Sequence, residues 1–201
     1  MVFRKIISIL LILILFSGVI EAILKRIDYN KYIAPGQLVE IDGGKMHLFT
    51  KGEGEHTIVL IPGLGTASPY VDFQPLWSRL SANNKVIVLE RFGYGFSDIT
   101  TKERSLEKIV YEMHEALRIS DGKPPYTLIG HSFGGTISMA YANIYPDEVT
   151  NIVMLDSAIP NAYEEWKPPS QPIVAIIPML KTTGLLRLIT KSSSVMEGLR
   201  G

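Results

Sequence analysis

Tyr126-Thr127-Leu128-Ile129-Gly130-His131-Ser132-Phe133-Gly134 decides the fold. The apolar run YTLI reads as a buried strand, and it passes without a linker into G-x-S-x-G. The segment Phe133–Tyr145 that follows reads as a helix. A strand that turns at once into a helix leaves the central serine on the bend, in a strained backbone conformation with its hydroxyl above the sheet. Glycines two positions to either side, Gly130 and Gly134, give room where strand and helix crowd together. The helix start offers free N–H groups and the positive end of its dipole to a developing oxyanion. Ser132 is therefore the candidate nucleophile.

Working outward, further short apolar runs alternate with longer mixed segments. Thr57–Ile61 (TIVLI), Val86–Leu89 (VIVL) and Ile152–Leu155 (IVML) read as strands. Between the strands lie Tyr70–Ala82 and Leu106–Ile119, and in the latter Leu106, Ile109, Val110, Met113 and Leu117 share one helical face. Apolar strands separated by helices predict a mostly parallel sheet covered on both faces, an α/β architecture. Upstream, Leu38–Asp42 and Lys45–Thr50 flank Gly43-Gly44, a hairpin signal. The loop Ile61-Pro62-Gly63-Leu64-Gly65 follows the first parallel strand. It can set the Leu64 N–H beside that of Phe133, making a two-donor oxyanion hole. Read alone, it is an ordinary turn, as is the glycine-spaced loop Glu90–Asp98.

Taken together and in this order, PGLG (62–65), ERFGYGFSD (90–98), GHSFGG (130–135) and LDSAIP (155–160) resemble the α/β-hydrolase superfamily. The similarity covers about residues 38–160 and is greatest to the esterase-like branch with a D-R-x-G-x-G-x-S-D loop, here with Glu90 in place of Asp. It implies a serine hydrolase acting on an ester or related acyl substrate, with Ser132 as nucleophile and Leu64 and Phe133 as oxyanion donors. Serine rather than aspartate at the elbow argues against the dehalogenase branch. No metal or organic cofactor is implied. In this family the order is serine, acid, histidine. The chain's four histidines, His47, His56, His114 and His131, all precede Ser132, and none fits the base position. Asp156 is the possible acid, but the Asp of such a string is more often a structural cap. An acid without its histidine does not complete a triad. The expectation is an incomplete hydrolase domain, weakly active or inactive as this chain. The competing class is a non-catalytic binding protein of the same fold.

Composition narrows the rest. Twenty Lys and Arg balance 20 Asp and Glu among 201 residues, which leaves no basic footprint for nucleic acid. Cysteine is absent, which excludes a disulfide framework, thiolate-held metal and a cysteine nucleophile. At the N-terminus, Arg4 and Lys5 precede an uncharged run from Ile6 to Ile20, with Glu21 as the one charge before Lys25 and Arg26. This favours an uncleaved membrane anchor over residues 1–27, with the domain outside the cytoplasm; a cleaved signal and secretion is the alternative. Residues 28–157 form the expected hydrolase core and 158–201 the start of a lid. Its apolar segments Ile173–Leu180 and Leu185–Ile189 either cover the site, favouring an apolar substrate, or pack elsewhere. Nothing in the sequence sets the oligomeric state.

Overall fold

The computed structural model describes residues 2–31, 33–157, 180 and 182–184. The lid segments fall almost wholly outside them. The chain divides into two compact units, one of residues 1–33 with 167–201 and one of residues 34–166.

In the first unit, α1 (Val2–Lys31) is one continuous helix. Its stretch Arg4–Ile27 is 24 residues long with mean hydropathy 2.8, long and apolar enough to cross a membrane. It exceeds the 15-residue uncharged run because a helix does not end at a charge. Glu21 is buried within this unit and pairs with Lys25 one turn on, at 3.8 Å. Ile12, Leu15 and Phe16 are exposed.

In the second unit, six strands among the described residues form one sheet in the order β1-β2-β4-β3-β5-β6. They are β1 (Gln37–Ile41), β2 (Gly44–Lys51), β3 (Thr57–Ile61), β4 (Lys85–Glu90), β5 (Tyr126–His131) and β6 (Val149–Leu155). The β1–β2 hairpin is antiparallel and joins β4 antiparallel, while β4, β3, β5 and β6 run parallel. The hairpin turn is offset by one residue from its sequence reading. Ile41 faces Gly44, so Asp42 and Gly43 are the two central residues, with φ of 54° and 79°. A two-residue hairpin loop needs positive φ at both positions, and Asp-Gly suits that need.

Among the described residues, four α-helices flank the sheet. The segment 70–82 forms two short helices rather than one, α2 (Pro69–Asp72) and α3 (Gln74–Leu80). Pro75 stands at the start of α3, where its missing N–H breaks continuity with the turn before it. Then come α4 (Leu106–Ile119) and α5 (Phe133–Ile144). Ser105 caps α4, accepting the Lys108 N–H at 3.2 Å.

Strand alternation divides the core into two layers. Val59, Ile61, Ile87, Leu89 and Leu128 pack with α4 and α5 residues such as Val110, Met113, Leu117, Ile137 and Tyr141. Ile58, Leu60, Val86, Val88 and Ile129 point to the other face, against Phe73, Leu76, Trp77 and Leu80. All five residues of β3 are buried, as expected of a central strand covered on both sides. Strand β6 departs from that expectation. It is the outer strand among the described residues, and Val153, Met154 and Leu155 are exposed.

Candidate active site

The site begins where β3 and β5 end. They are parallel neighbours in register, with Ile61 opposite Gly130. The loops leaving their C-terminal ends therefore start side by side, at the edge where open α/β sheets bind ligands.

Ser132 lies between β5 and α5 with φ 50° and ψ −122°, a conformation rare for any residue with a side chain. It is half-buried. Its N–H donates to the Leu155 carbonyl at 3.1 Å, and the Gly135 N–H donates to the Ser132 carbonyl at 3.0 Å. Gly130 and Gly134 have a direct steric explanation. A Cβ on Gly130 would lie 2.5 Å from the backbone of Gly134 and Gly135, and one on Gly134 would overlap the Ile61 carbonyl. Both exceed any tolerable contact, so the strand and helix meet only through glycine.

The loop after β3 reaches the same point. A Cβ on Gly63 would stand 2.8 Å from the Ser132 Cβ and 3.1 Å from the His131 carbonyl. Leu64 and Phe133 line one cleft of about 320 Å³ together with Arg91, Tyr94 and Ile99. Arg91 is 3% exposed. Its Nη2 donates to the carbonyls of Gly63 at 2.8 Å and Pro62 at 3.3 Å.

The third contributor is the end of β6. Ser157, on the other side of Asp156, donates its hydroxyl to the Gly130 carbonyl at 2.7 Å. The strand end thus holds the elbow from two residues, Leu155 and Ser157. Asp156 between them has φ 43°, is exposed, and makes no hydrogen bond among the described residues.

No described histidine hydrogen-bonds the Ser132 hydroxyl. His47 is fully buried between Glu90 (Nδ1 to Oε2, 2.9 Å) and the Pro35 carbonyl (Nε2, 2.6 Å). His56 contacts the Thr127 hydroxyl at 2.8 Å. His114 stacks on Tyr145 with ring centres 4.0 Å apart and faces Glu148 at 3.3 Å. His131 is exposed beside the elbow. Among the described residues, no group of three or more His, Asp or Glu could hold a metal ion.

The sequence reading placed Glu90 at the start of the glycine-spaced loop, where Asp is common, but gave it no role. Its buried carboxylate accepts from His47, from the N–H groups of Tyr70 (3.0 Å) and Phe96 (2.7 Å), and from the Ser68 hydroxyl (3.2 Å). Burial pushes its pKa up. The hydrogen bonds from His47, Phe96 and Tyr70 outweigh that and hold it below the ordinary carboxylate value. Gly95, at φ 51°, presses directly on this carboxylate, where any Cβ would collide. The 90–98 loop is therefore wound around Glu90. Glycine spacing signalled a turn; the acid inside it had no local signature.

A parallel sheet flanked by helices, with a sharp serine-bearing bend after its central strand, defines the α/β-hydrolase class. A model of the family described as "alpha/beta hydrolase fold" matches residues 56–183, more than half of the sequence, and the chain belongs to that family. It is 34% identical over 159 residues to the uncharacterized protein YbdG of Bacillus subtilis, covering 77% of this chain and 49% of that one. It is 29% identical over 119 residues to a cis-3-alkyl-4-alkyloxetan-2-one decarboxylase of Shewanella oneidensis, covering 58% and 36%. The esterase EaEST of Exiguobacterium antarcticum superposes with a TM-score of 0.60 at 22% identity, covering 73% and 56%. The chain thus spans about half the length, or less, of these curated relatives.

Proposed function

We propose that this chain carries the nucleophile and oxyanion half of a serine hydrolase acting on an ester or related acyl substrate. In this reading Ser132 Oγ adds to the acyl carbonyl carbon while its proton passes to a base. The carbonyl oxygen becomes an oxyanion held by the N–H groups of Leu64 and Phe133. Collapse expels the alcohol, whose oxygen takes the proton back from that base, and leaves an acyl-serine; water then adds to the acyl carbon, releasing the acid and restoring the serine hydroxyl. The observation that carries the reading is the strained Ser132 (φ 50°) between β5 and α5 with Gly63 packed against it. An ordinary strand-to-helix turn has no need of that strain.

None of the described histidines hydrogen-bonds Ser132: His47, His56 and His114 are each engaged elsewhere, and His131 is exposed beside the elbow. This favours weak turnover, because oxyanion donors and binding alone leave only residual catalysis. It also keeps one other reading open, a non-catalytic binding protein on the same scaffold. A fluorophosphonate probe separates the two. Labelling of the full chain that disappears in Ser132→Ala is the expected result. A chain that takes no label supports the binding protein or an inactive hydrolase domain.

The domain assignment belongs to the same proposal: an anchor over residues 1–27, the hydrolase core over 28–157, and the beginning of a lid over 158–201. Support for the anchor is the apolar stretch Arg4–Ile27 of α1.

A further inference from the structure

Arg91 is a buried cation with an unusual set of partners. It is 3% exposed and forms no ion pair with a carboxylate among the described residues, and its Nε has no hydrogen-bond partner. Its bonds run to two successive backbone carbonyls, Pro62 and Gly63, immediately before Leu64. The guanidinium carbon lies 4.6 Å from the Tyr94 ring centre and 5.7 Å from that of Phe133. Burial pushes its pKa down, though a guanidinium remains charged even so. Placing an unpaired charge in a protein interior is costly, so this position calls for an explanation beyond loop packing.

We propose that Arg91 is the positioning residue of the oxyanion hole, setting the direction and donor strength of the Leu64 N–H through the peptide it shares with Gly63. The inference rests on the serine-hydrolase reading above. The Gly63–Leu64 peptide is trans, since the one cis bond among the described residues is Pro124–Pro125. In a trans peptide the C=O and N–H point in opposite directions. A guanidinium fixed on the Gly63 carbonyl therefore fixes the Leu64 N–H on the opposite edge of the same plane. Gly63 itself packs against Ser132, so that plane borders the reacting hydroxyl. A charged donor on the carbonyl also polarises the peptide and strengthens its N–H as a donor. The same positive charge, unneutralised and shielded from water, favours negative charge building up in the cleft that Leu64, Phe133 and Arg91 line together.

The test uses the full chain in detergent, as wild type, Arg91→Lys and Arg91→Met. Two readouts are taken: the ¹H–¹⁵N resonance and exchange rate of the Leu64 amide, with the Phe133 amide as internal reference, and the rate and saturation constant of fluorophosphonate labelling at Ser132. In R91M, the Leu64 amide is expected to exchange at least about tenfold faster while Phe133 is unchanged. The labelling rate constant should fall about 10- to 100-fold with the saturation constant little moved, less than the roughly 100- to 1,000-fold cost of removing an oxyanion donor outright, because the Leu64 N–H is misaligned and not deleted. R91K keeps the charge but loses the planar guanidinium that aims Nη2 at both carbonyls. It should shift the Leu64 resonance more than that of Phe133 and recover part of the rate. A Leu64 amide unaltered in R91K or R91M overturns the proposal, as does a labelling loss carried by the saturation constant alone. R91K serves for the amide readout where R91M does not fold. Absence of Ser132-dependent labelling in the wild type overturns the hydrolase reading instead, and the Leu64 amide still decides the role of Arg91.

Discussion

At Gly63 a single hydrogen atom in place of a side chain lets the loop after β3 lie against the elbow. A methyl there would sit 2.8 Å from the Ser132 Cβ, closer than nonbonded carbons tolerate. Gly63→Ala must therefore push the loop away from Ser132. The overpacking cost is about 1–3 kcal/mol, which a domain of this size survives. Displacing the Leu64 N–H should lower Ser132 labelling about 100-fold. Thermal unfolding and probe kinetics on the same variant check the pair of outcomes. A variant that labels at the wild-type rate would show that the loop takes no part in the chemistry.

Among the elements, α1 stands apart by composition. Its Arg4–Ile27 stretch is 24 residues, which gives about 36 Å at 1.5 Å per residue and exceeds the ~30 Å hydrocarbon core of a bilayer. The full chain is expected to stay with membranes through alkaline carbonate extraction, and removal of residues 2–27 should release it. Protease added to intact cells should cut the domain, given the orientation proposed; full protection would reverse that orientation. The pairs β3–β5 and β5–β6 show how elements, rather than residues, assemble the site. Their registers bring Gly63, Ser132 and Leu155 to one end of the sheet.

Over the whole molecule, Glu90 couples β2, β4, the start of α2 and the 90–98 loop, through His47, Tyr70 and Phe96. Its pKa is lowered in the folded state. A lowered carboxylate contributes stability that is complete above its unfolded value, near 4.5, and is lost as pH falls through the folded value. Melting temperature is therefore expected to hold above about pH 5 and to drop on acidification below it. Glu90→Gln should lower the melting temperature at neutral pH, because an amide cannot accept from every one of these donors. It should also flatten the acid limb. Asp42, brought to about 2 by hydrogen bonds from Lys102 and Lys108, adds an acid-sensitive contribution in the same direction at the hairpin surface. An acid limb as steep in E90Q as in wild type would assign the effect to other carboxylates.

Strand positions, the helical face of α4 and the serine bend were legible because each is a local pattern. Period-two and period-3.6 apolar spacing and a five-residue motif report on neighbours in the chain. The amphipathic face survived contact with the structure almost intact, with Ile109, Val110, Met113 and Leu117 buried. What tertiary structure alone decided are pairings across long stretches of chain. His47 reaches Glu90 over 43 residues, Arg91 reaches Gly63 over 28, and Ser157 reaches Gly130 over 27. Each joins one polar group to another with no periodicity to announce it. Such a bond exists only once strand order and register have placed the two ends side by side, so no reading of either segment alone contains it.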